Sequence, residues 1–468
     1  MPEANYDFNC APISNILGAP TPNFISIFIS IVWPIYELFW LKMRMYGLHE
    51  NTSANLLDFA AFYLLQISIP AALLVSTPKK SPLRYLAIPC MICIANRFML
   101  PFAPAGSPTW CQAICQLVIM VLQAINMLVI NPLDRQDLVG VVRNSQSTIA
   151  YFFAAIRALI FTRGCNTPWQ VKNVPSQPRY YSRRGMKIPT RSRFLLRQSA
   201  IFAWQYVALD IIQTLSAQQA SEKKESLMEI EWNVSRGQWA ERAGTHVAIW
   251  FVVNRLIGDS VYRLLSIISV GLVIDSPSDW PPAWGRMKEA YTLRNFWGKF
   301  WHQFMRQPFS SLSNFITREC LGLARSAILE RYTNLFIVFL ISSLYHVIVD
   351  LLQSVPPEYS GSITFYLAFV PGIILEDGVQ EVWARFGAHG TSGSENALAM
   401  WQRTIGLIWV MSWLAITSTW YFTPMIQLTG SDVAMVPLSF TRALGLPISG
   451  IILLIAGATI LWIFEVEI

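Results

Sequence analysis

Residues 335–349 read LFIVFLISSLYHVIV, an almost wholly apolar run that contains one titratable ring, His346. Runs of this kind are typical of membrane-spanning helices, since about 20 apolar residues cross the ~30 Å hydrocarbon layer of a bilayer. A histidine inside such a helix loses its hydration, and ionisable residues at this depth usually mark functional sites. The run therefore predicts a membrane fold with a reactive group inside it.

The whole chain extends this interpretation, because 53% of its residues are hydrophobic and only 13% are charged. Soluble domains are about one quarter charged. We expect an all-α, polytopic membrane protein in the form of a helical bundle. Its candidate spans are roughly 23–41, 57–75, 84–102, 112–131, 148–162, 198–215, 245–272, 333–352, 363–383, 401–423 and 445–464. About eight to ten of these are expected to be true transmembrane helices.

Residues 1–22 form an N-terminal polar segment without the basic start of a cleavable signal peptide. Residues 23–468 are expected to form a single membrane domain. Its stretch 163–197 contains nine basic residues and neither Asp nor Glu, which is typical of a cytoplasmic loop. The same charge could also attract the phosphates of a substrate. Arg255, Asp259 and Arg263 share one helix face and are expected to pair internally.

A second motif, residues 293–303, reads LRNFWGKFWHQ. Aromatic rings mixed with basic side chains suit the level of the lipid headgroups. An aromatic anchor does not account for the order of these residues, in which Gly298 is expected to permit close backbone approach. His302 places a second histidine next to the apolar helices, and two histidines in this setting suggest chemistry.

The pattern Arg-x-Phe-Trp-Gly-x-x-Trp-His-Gln of residues 294–303, followed by His346, resembles the wax synthase-like branch of the membrane-bound O-acyltransferases. It is particularly similar to fungal members that acetylate terpenoid or meroterpenoid alcohols. Residues 279–282 (DWPP) and 375–378 (LEDG) fit the same resemblance, so that the motif-bearing core covers about 275–380. The resemblance implies a multi-pass enzyme, expected in the endoplasmic reticulum, that uses acyl-coenzyme A, most simply acetyl-coenzyme A, as co-substrate.

Histidine suits the base that removes a hydroxyl proton, because its pKa is near neutrality and burial favours the neutral ring. His346 is the candidate general base. The resemblance implies that His302 assists near the thioester. The further candidates shape the donor channel or bind substrate: Arg294, Trp297, Trp301, Gln303, Asp350, Glu376 and Asp377.

The three acidic candidates have alternative interpretations. Asp350, at i+4 from His346, orients the ring or marks the end of the helix. Glu376 and Asp377 follow Pro371 and Gly372, where a helix break is expected, and they bind the acceptor or cap that break.

No metal or other cofactor site is predicted, because the five histidines are scattered and lack ligand spacing. No nucleic-acid motif is present, and the oligomeric state is open. No activated Ser or Cys is evident, so direct acyl transfer to a lipophilic alcohol is the preferred reaction. A wax synthase with a long-chain donor and a fatty alcohol is the first alternative. A transporter or a membrane scaffold remains a second class, although the paired broken helices of transporters are not found.

Overall fold

A computed structural model describes residues 56–102, 108–142, 147–222, 234–352, 355–386, 400–429 and 435–464. Within these ranges the chain forms helices and connecting segments and no β-strand. The all-α fold expected from the sequence is confirmed. The N-terminal segment 1–22 and the candidate span 23–41 lie outside the described residues.

Twelve main helices follow one another along the described chain: α1 Leu56–Ser76, α2 Leu83–Phe102, α3 Pro108–Ile125, α4 Thr148–Ile160, α5 Arg191–Glu222, α6 Arg236–Ala248, α7 Arg255–Gly271, α8 Arg306–Asn314, α9 Ile328–Leu352, α10 Ser362–Phe386, α11 Met400–Thr429 and α12 Leu446–Phe464. Shorter helical segments lie at Asn126–Ile130, Arg179–Ser182, Ile249–Asn254, Pro277–Asp279, Met287–Glu289, Leu293–Asn295, Phe296–Phe300, Phe315–Cys320, Pro357–Tyr359 and Thr441–Leu444.

Four helices in the described ranges, α9, α10, α11 and α12, are long and apolar enough to cross a membrane. In α12 few residues of the apolar stretch are fully buried, although the helix packs against α5, where the Trp204 ring N–H donates to the Leu453 carbonyl at 3.0 Å. The apolar parts of α1 to α4 are shorter. The described chain therefore has fewer full-length apolar helices than the eight to ten expected from the sequence.

The motif at 293–303 packs into an aromatic core together with α10 and α11. Phe296 and Phe300 are completely buried in the same core as Phe365 and Phe369 of α10. Removing four such rings from water contributes several kcal/mol, at roughly 25 cal/mol per Å² of apolar surface. This burial holds the motif segment against the helices that follow it in the chain.

The charges on α7 form one ion pair and not the predicted ladder. Arg263 pairs with Asp259 at 2.7 Å, and Gln205 of α5 donates to the same carboxylate at 2.7 Å. Arg255 instead lies 5.3 Å from the centre of the Phe300 ring. The face of this ring carries partial negative charge and attracts the Arg255 cation, which also interacts electrostatically with Asp259 without forming a direct ion pair.

Close backbone approach occurs at Gly285, whereas the sequence placed it at Gly298. A Cβ added to Gly285 would lie 2.1 Å from the Lys299 carbonyl oxygen, and the Gly285 amide donates to the Phe300 carbonyl at 2.9 Å. A Cβ added to Gly298 meets nothing within 4 Å. The expectation for Gly298 was wrong, because a glycine in sequence does not show which backbone lies opposite it.

We expect Gly285→Ala to destabilise the protein by about 1–3 kcal/mol or more, since the added methyl group overlaps a fixed backbone carbonyl. The measurement is thermal unfolding of the purified protein in detergent. Gly298→Ala is the matched control, expected to lie within about 0.5 kcal/mol of wild type. Equal stability of the two variants would contradict the assigned backbone contact.

Candidate active site

The aromatic motif is built by a capped turn followed by a wide helical turn. The Thr292 side chain accepts a hydrogen bond from the Asn295 amide and starts the segment. The π-helix Phe296–Phe300 follows, and the Trp301 amide donates to the Phe296 carbonyl five residues earlier at 2.7 Å. π-Helical turns are rare and often occur at functional sites. Here the turn precedes Trp301 and His302 directly.

Two acids of α10 fix this segment. The Glu376 carboxylate accepts the backbone amides of Leu293 at 2.7 Å and Arg294 at 3.3 Å. The Asp377 carboxylate accepts from the Arg294 guanidinium at 2.7 Å and from Arg331 at 2.8 Å. Both carboxylates thus accept hydrogen bonds from the motif segment.

The expected helix break beside these acids does not form, and neither acid lines the cavity described below. Helix α10 continues through Pro371 and Gly372 to Phe386. Backbone and guanidinium donors occupy the two carboxylates, which hold the motif segment in place outside the cavity lining.

Gln303 joins the motif to the basic segment after α4. Its side-chain amide donates to the Asn173 carbonyl at 2.8 Å and to the Gly298 carbonyl at 3.3 Å. The Arg306 guanidinium connects the same two chain segments. It donates to the Gly298 carbonyl at 2.7 Å and to the Lys172 carbonyl at 3.0 Å. The basic segment is therefore packed against the candidate site, and its amino-terminal part is more than a charged surface loop.

A cavity of about 1430 Å³ lies between the motif and helices α5, α7 and α9. Pockets for single small molecules measure about 300–1,000 Å³, so this space can hold two substrates. Six of the sequence-predicted residues line it: Arg294, Trp297, Trp301, His302, Gln303 and His346. Asp350, Glu376 and Asp377 do not. The two histidines, 44 positions apart by number, thus face one space.

The His346 ring is held in one orientation by its own helix and by Tyr366. Nδ1 lies 2.7 Å from the Ser342 carbonyl oxygen. A carbonyl oxygen only accepts hydrogen bonds, so Nδ1 carries the hydrogen and Nε2 of the neutral ring keeps a lone pair. The Tyr366 ring stacks on His346 with centroids 4.1 Å apart, and Tyr345 meets it edge-on at 4.9 Å.

The orienting partner of His346 is Ser342 and not Asp350. The Asp350 carboxylate accepts from the hydroxyl groups of Ser360 at 2.5 Å, Ser362 at 2.6 Å and Tyr421 at 3.2 Å. It thereby joins the end of α9 to α10 and α11. Of the two alternatives drawn from the sequence, the geometry matches the one that places Asp350 at the helix end.

His302 lies among aromatic rings at the opposite wall. Trp284 meets it edge-on at 5.0 Å, and the Phe304 ring stacks on it at 5.3 Å. Its Nδ1 has no hydrogen-bond partner among the described residues. Burial, followed by the electrostatic influence of the nearby His346 imidazole and of the Arg163 guanidinium, lowers the pKa of His302 to about 3. The ring is therefore neutral at physiological pH, and its buried Nδ1 is left without a partner in the described part of the chain.

Arg163 is the site residue that the sequence did not single out. Its basic neighbours in the chain led to its interpretation as part of a cytoplasmic loop, yet only 4% of it is exposed and it lines the cavity. Its guanidinium donates to the carbonyl of Pro282 at 2.7 Å and to that of Pro281 at 3.0 Å. The DWPP motif that follows by more than a hundred positions supplies both carbonyls.

Comparison with known proteins agrees with the family resemblance found in the sequence. The model of the family described as membrane bound O-acyl transferase matches residues 280–368, a range that contains both histidines. No solved structure matches the chain.

Several curated fungal proteins are similar over most of the chain. Acetyltransferase atnC of Arthrinium sp is 36% identical over 442 residues, which is 89% of this chain and 99% of atnC. Acetyltransferase TRI7 of Fusarium sporotrichioides is 32% identical over 430 residues, with 88% and 97% covered. Acetyltransferase spyB of Aspergillus fumigatus is 38% identical over 383 residues; the match covers 79% of this chain and 65% of spyB.

The lowered pKa of His302 predicts a pH-dependent stability. Between pH 6.5 and about 3 the unfolded chain binds a proton at His302 that the folded chain excludes. The stability contributed by the neutral ring is complete above the unfolded pKa and is lost as the pH falls through this window. Thermal unfolding in detergent at about pH 7 and about pH 5 should show a smaller acid-induced loss for His302→Gln than for wild type. Identical losses would contradict a buried, neutral His302.

Proposed function

The chain belongs to the membrane bound O-acyl transferase family, and we propose that it transfers an acetyl group from acetyl-coenzyme A to a hydroxyl group of a lipophilic acceptor such as a terpenoid. It is an acyltransferase of fungal secondary metabolism by family. The observation that carries the proposal is the pair His302 and His346 on one cavity with room for two substrates.

The chemistry follows from the orientation of His346. With its hydrogen on Nδ1, Nε2 accepts the proton of the acceptor hydroxyl. The acceptor oxygen then bonds to the thioester carbon, the negative charge moves to the carbonyl oxygen, and the carbon–sulfur bond breaks as the carbonyl reforms. The coenzyme A sulfur takes the proton from His346. The products are the ester and free coenzyme A, and the protein carries no acyl group at any step.

His302 acts on the donor side of this reaction. It is neutral, lies on the motif segment, and is enclosed by the rings of Trp284 and Phe304. A neutral imidazole can donate a hydrogen bond to the thioester carbonyl without competing for the hydroxyl proton. Trp297 and Trp301 line the cavity beside it and limit the water that reaches the thioester.

The wall opposite the motif supports a lipophilic acceptor. It includes Phe202 and Leu209 of α5 and Val261 and Leu265 of α7. Val261 and Leu265 are 41% and 51% exposed, so this wall continues to the outer, apolar surface of the protein. A hydrophobic alcohol could pass from the bilayer to His346 along this wall. The three relatives described above are all named acetyltransferases, which supports acetyl over long-chain transfer.

The test uses intact microsomes that contain the protein, with labelled acetyl-coenzyme A or a labelled long-chain acyl-coenzyme A and a panel of terpenoid and fatty alcohols. We expect a labelled acetyl ester of a terpenoid alcohol. Because acetyl-coenzyme A does not cross a membrane, product without detergent supports a donor site that faces the cytoplasm. Exclusive use of the long-chain donor would establish the wax synthase alternative, and no transfer from either donor would overturn the proposal.

We expect His346→Ala to lower kcat by about 10²–10⁴-fold, as loss of a general base does, with donor binding nearly unchanged. His302→Ala should weaken donor binding as well as slow turnover. Calorimetry with coenzyme A on each purified variant measures donor binding. The matched control is His246→Gln, a buried histidine on α6 outside the cavity lining, whose kcat should equal that of wild type. Loss of donor binding in His346→Ala alone would reverse the two assigned roles.

A further inference from the structure

The positive charge of Arg163 is not neutralised by any carboxylate in the described part of the chain. Its recorded partners are the carbonyls of Pro281 and Pro282, the Tyr262 hydroxyl and two aromatic rings. The neighbouring acids, Asp275 and Asp279, pair with Arg157 at 3.1 and 3.4 Å. A buried cation normally has an anionic partner, because desolvation of an unpaired charge is costly. The exception at Arg163 therefore calls for an anion from outside the protein.

The Arg163 guanidinium also has N–H groups that make no hydrogen bond to the described residues. Arginine has five N–H groups, and the contacts with Pro281, Pro282 and Tyr262 use three of them. Since Arg163 lines the cavity, the remaining donors are available to a bound molecule. The same three contacts fix the guanidinium plane, so these donors are held in place before a ligand arrives.

Phe304 links Arg163 to the catalytic region. The Phe304 ring stacks on His302 at 5.3 Å and lies 5.5 Å from the guanidinium carbon of Arg163. The hydroxyl of Thr162, the residue next to Arg163, donates to the Phe304 carbonyl. Arg163 and His302 thus contact two parts of one aromatic side chain whose backbone is fixed by the residue beside the arginine.

From this arrangement we propose that Arg163 is a further catalytic residue, whose free N–H groups bind an anionic oxygen of the acyl donor beside His302. The proposal rests on the proposed acyl transfer. The anionic oxygen has two sources in such a donor: the thioester carbonyl oxygen as it becomes negative during attack, and the phosphates of coenzyme A. The deep burial of Arg163 and its nearness to His302 favour the carbonyl oxygen.

The decisive variants separate charge from structure. Arg163→Met removes the charge and the N–H groups, whereas Arg163→Lys keeps the charge. Arg318→Met is the matched control, because it removes an arginine that lies outside the cavity lining and pairs with Glu330 at 2.7 Å. Steady-state kinetics are measured with acetyl-coenzyme A and with acetyl-pantetheine, which lacks the coenzyme A phosphates. Thermal unfolding of each variant corrects for misfolded protein.

We expect Arg163→Met to lower kcat by about 10²-fold with both donors, as loss of an oxyanion-binding donor does. Arg163→Lys should recover part of this loss, and Arg318→Met should turn over close to the wild-type rate. A rise in KM confined to acetyl-coenzyme A would also support anion binding and would identify the phosphates as its source. Wild-type kinetics in Arg163→Met, or an equal loss in Arg318→Met, would overturn the proposal. Failure of the proposed function is a separate result, namely absence of transfer by the wild-type enzyme.

Discussion

The Glu376 carboxylate holds the backbone of Leu293 and Arg294, and the position of the whole motif depends on this contact. The motif segment is short and has no long helix of its own to fix its direction. Its first amides would be unsatisfied at a helix start, and a buried unpaired amide costs about 1–3 kcal/mol. A carboxylate on α10 satisfies them and so joins the motif to a helix that packs along α9. This contact therefore fixes the motif, which carries His302, relative to α9, which carries His346.

The environment of His302 and His346 favours neutral imidazoles beside the fixed guanidinium of Arg163. Burial, and to a smaller extent His346 and the charge of Arg163, discourages protonation of His302, and the backbone carbonyl of Ser342 fixes the tautomer of His346. A charge acts over a longer distance in a cavity lined by aromatic rings than in water, because the local dielectric constant is lower. The aromatic composition of the motif thus does more than anchor it at the lipid headgroups. It sets the medium in which the polar groups act.

Sequence reasoning found the two histidines and the membrane fold because both depend on composition and position along the chain. An imidazole in an apolar helix is conspicuous, as is a repeated tryptophan motif. The acids at 350, 376 and 377 were conspicuous for the same reason, yet the structure uses them as acceptors for serine hydroxyls, backbone amides and arginines. The sequence shows that an acid is buried and does not show which donors surround it.

Arg163 illustrates the opposite failure, since the sequence gives it every attribute of a solvated loop residue. Its role depends on two proline carbonyls, and proline is suited to present them, because a residue without an N–H group can be buried with only its acceptor to satisfy. Consecutive prolines at 281 and 282 therefore offer two acceptors and no competing donors. Such a pair can hold a guanidinium without neutralising it, which a carboxylate cannot do. The retained charge is what makes this wall of the cavity suited to an anionic oxygen, and the apolar wall across from it to a lipophilic alcohol.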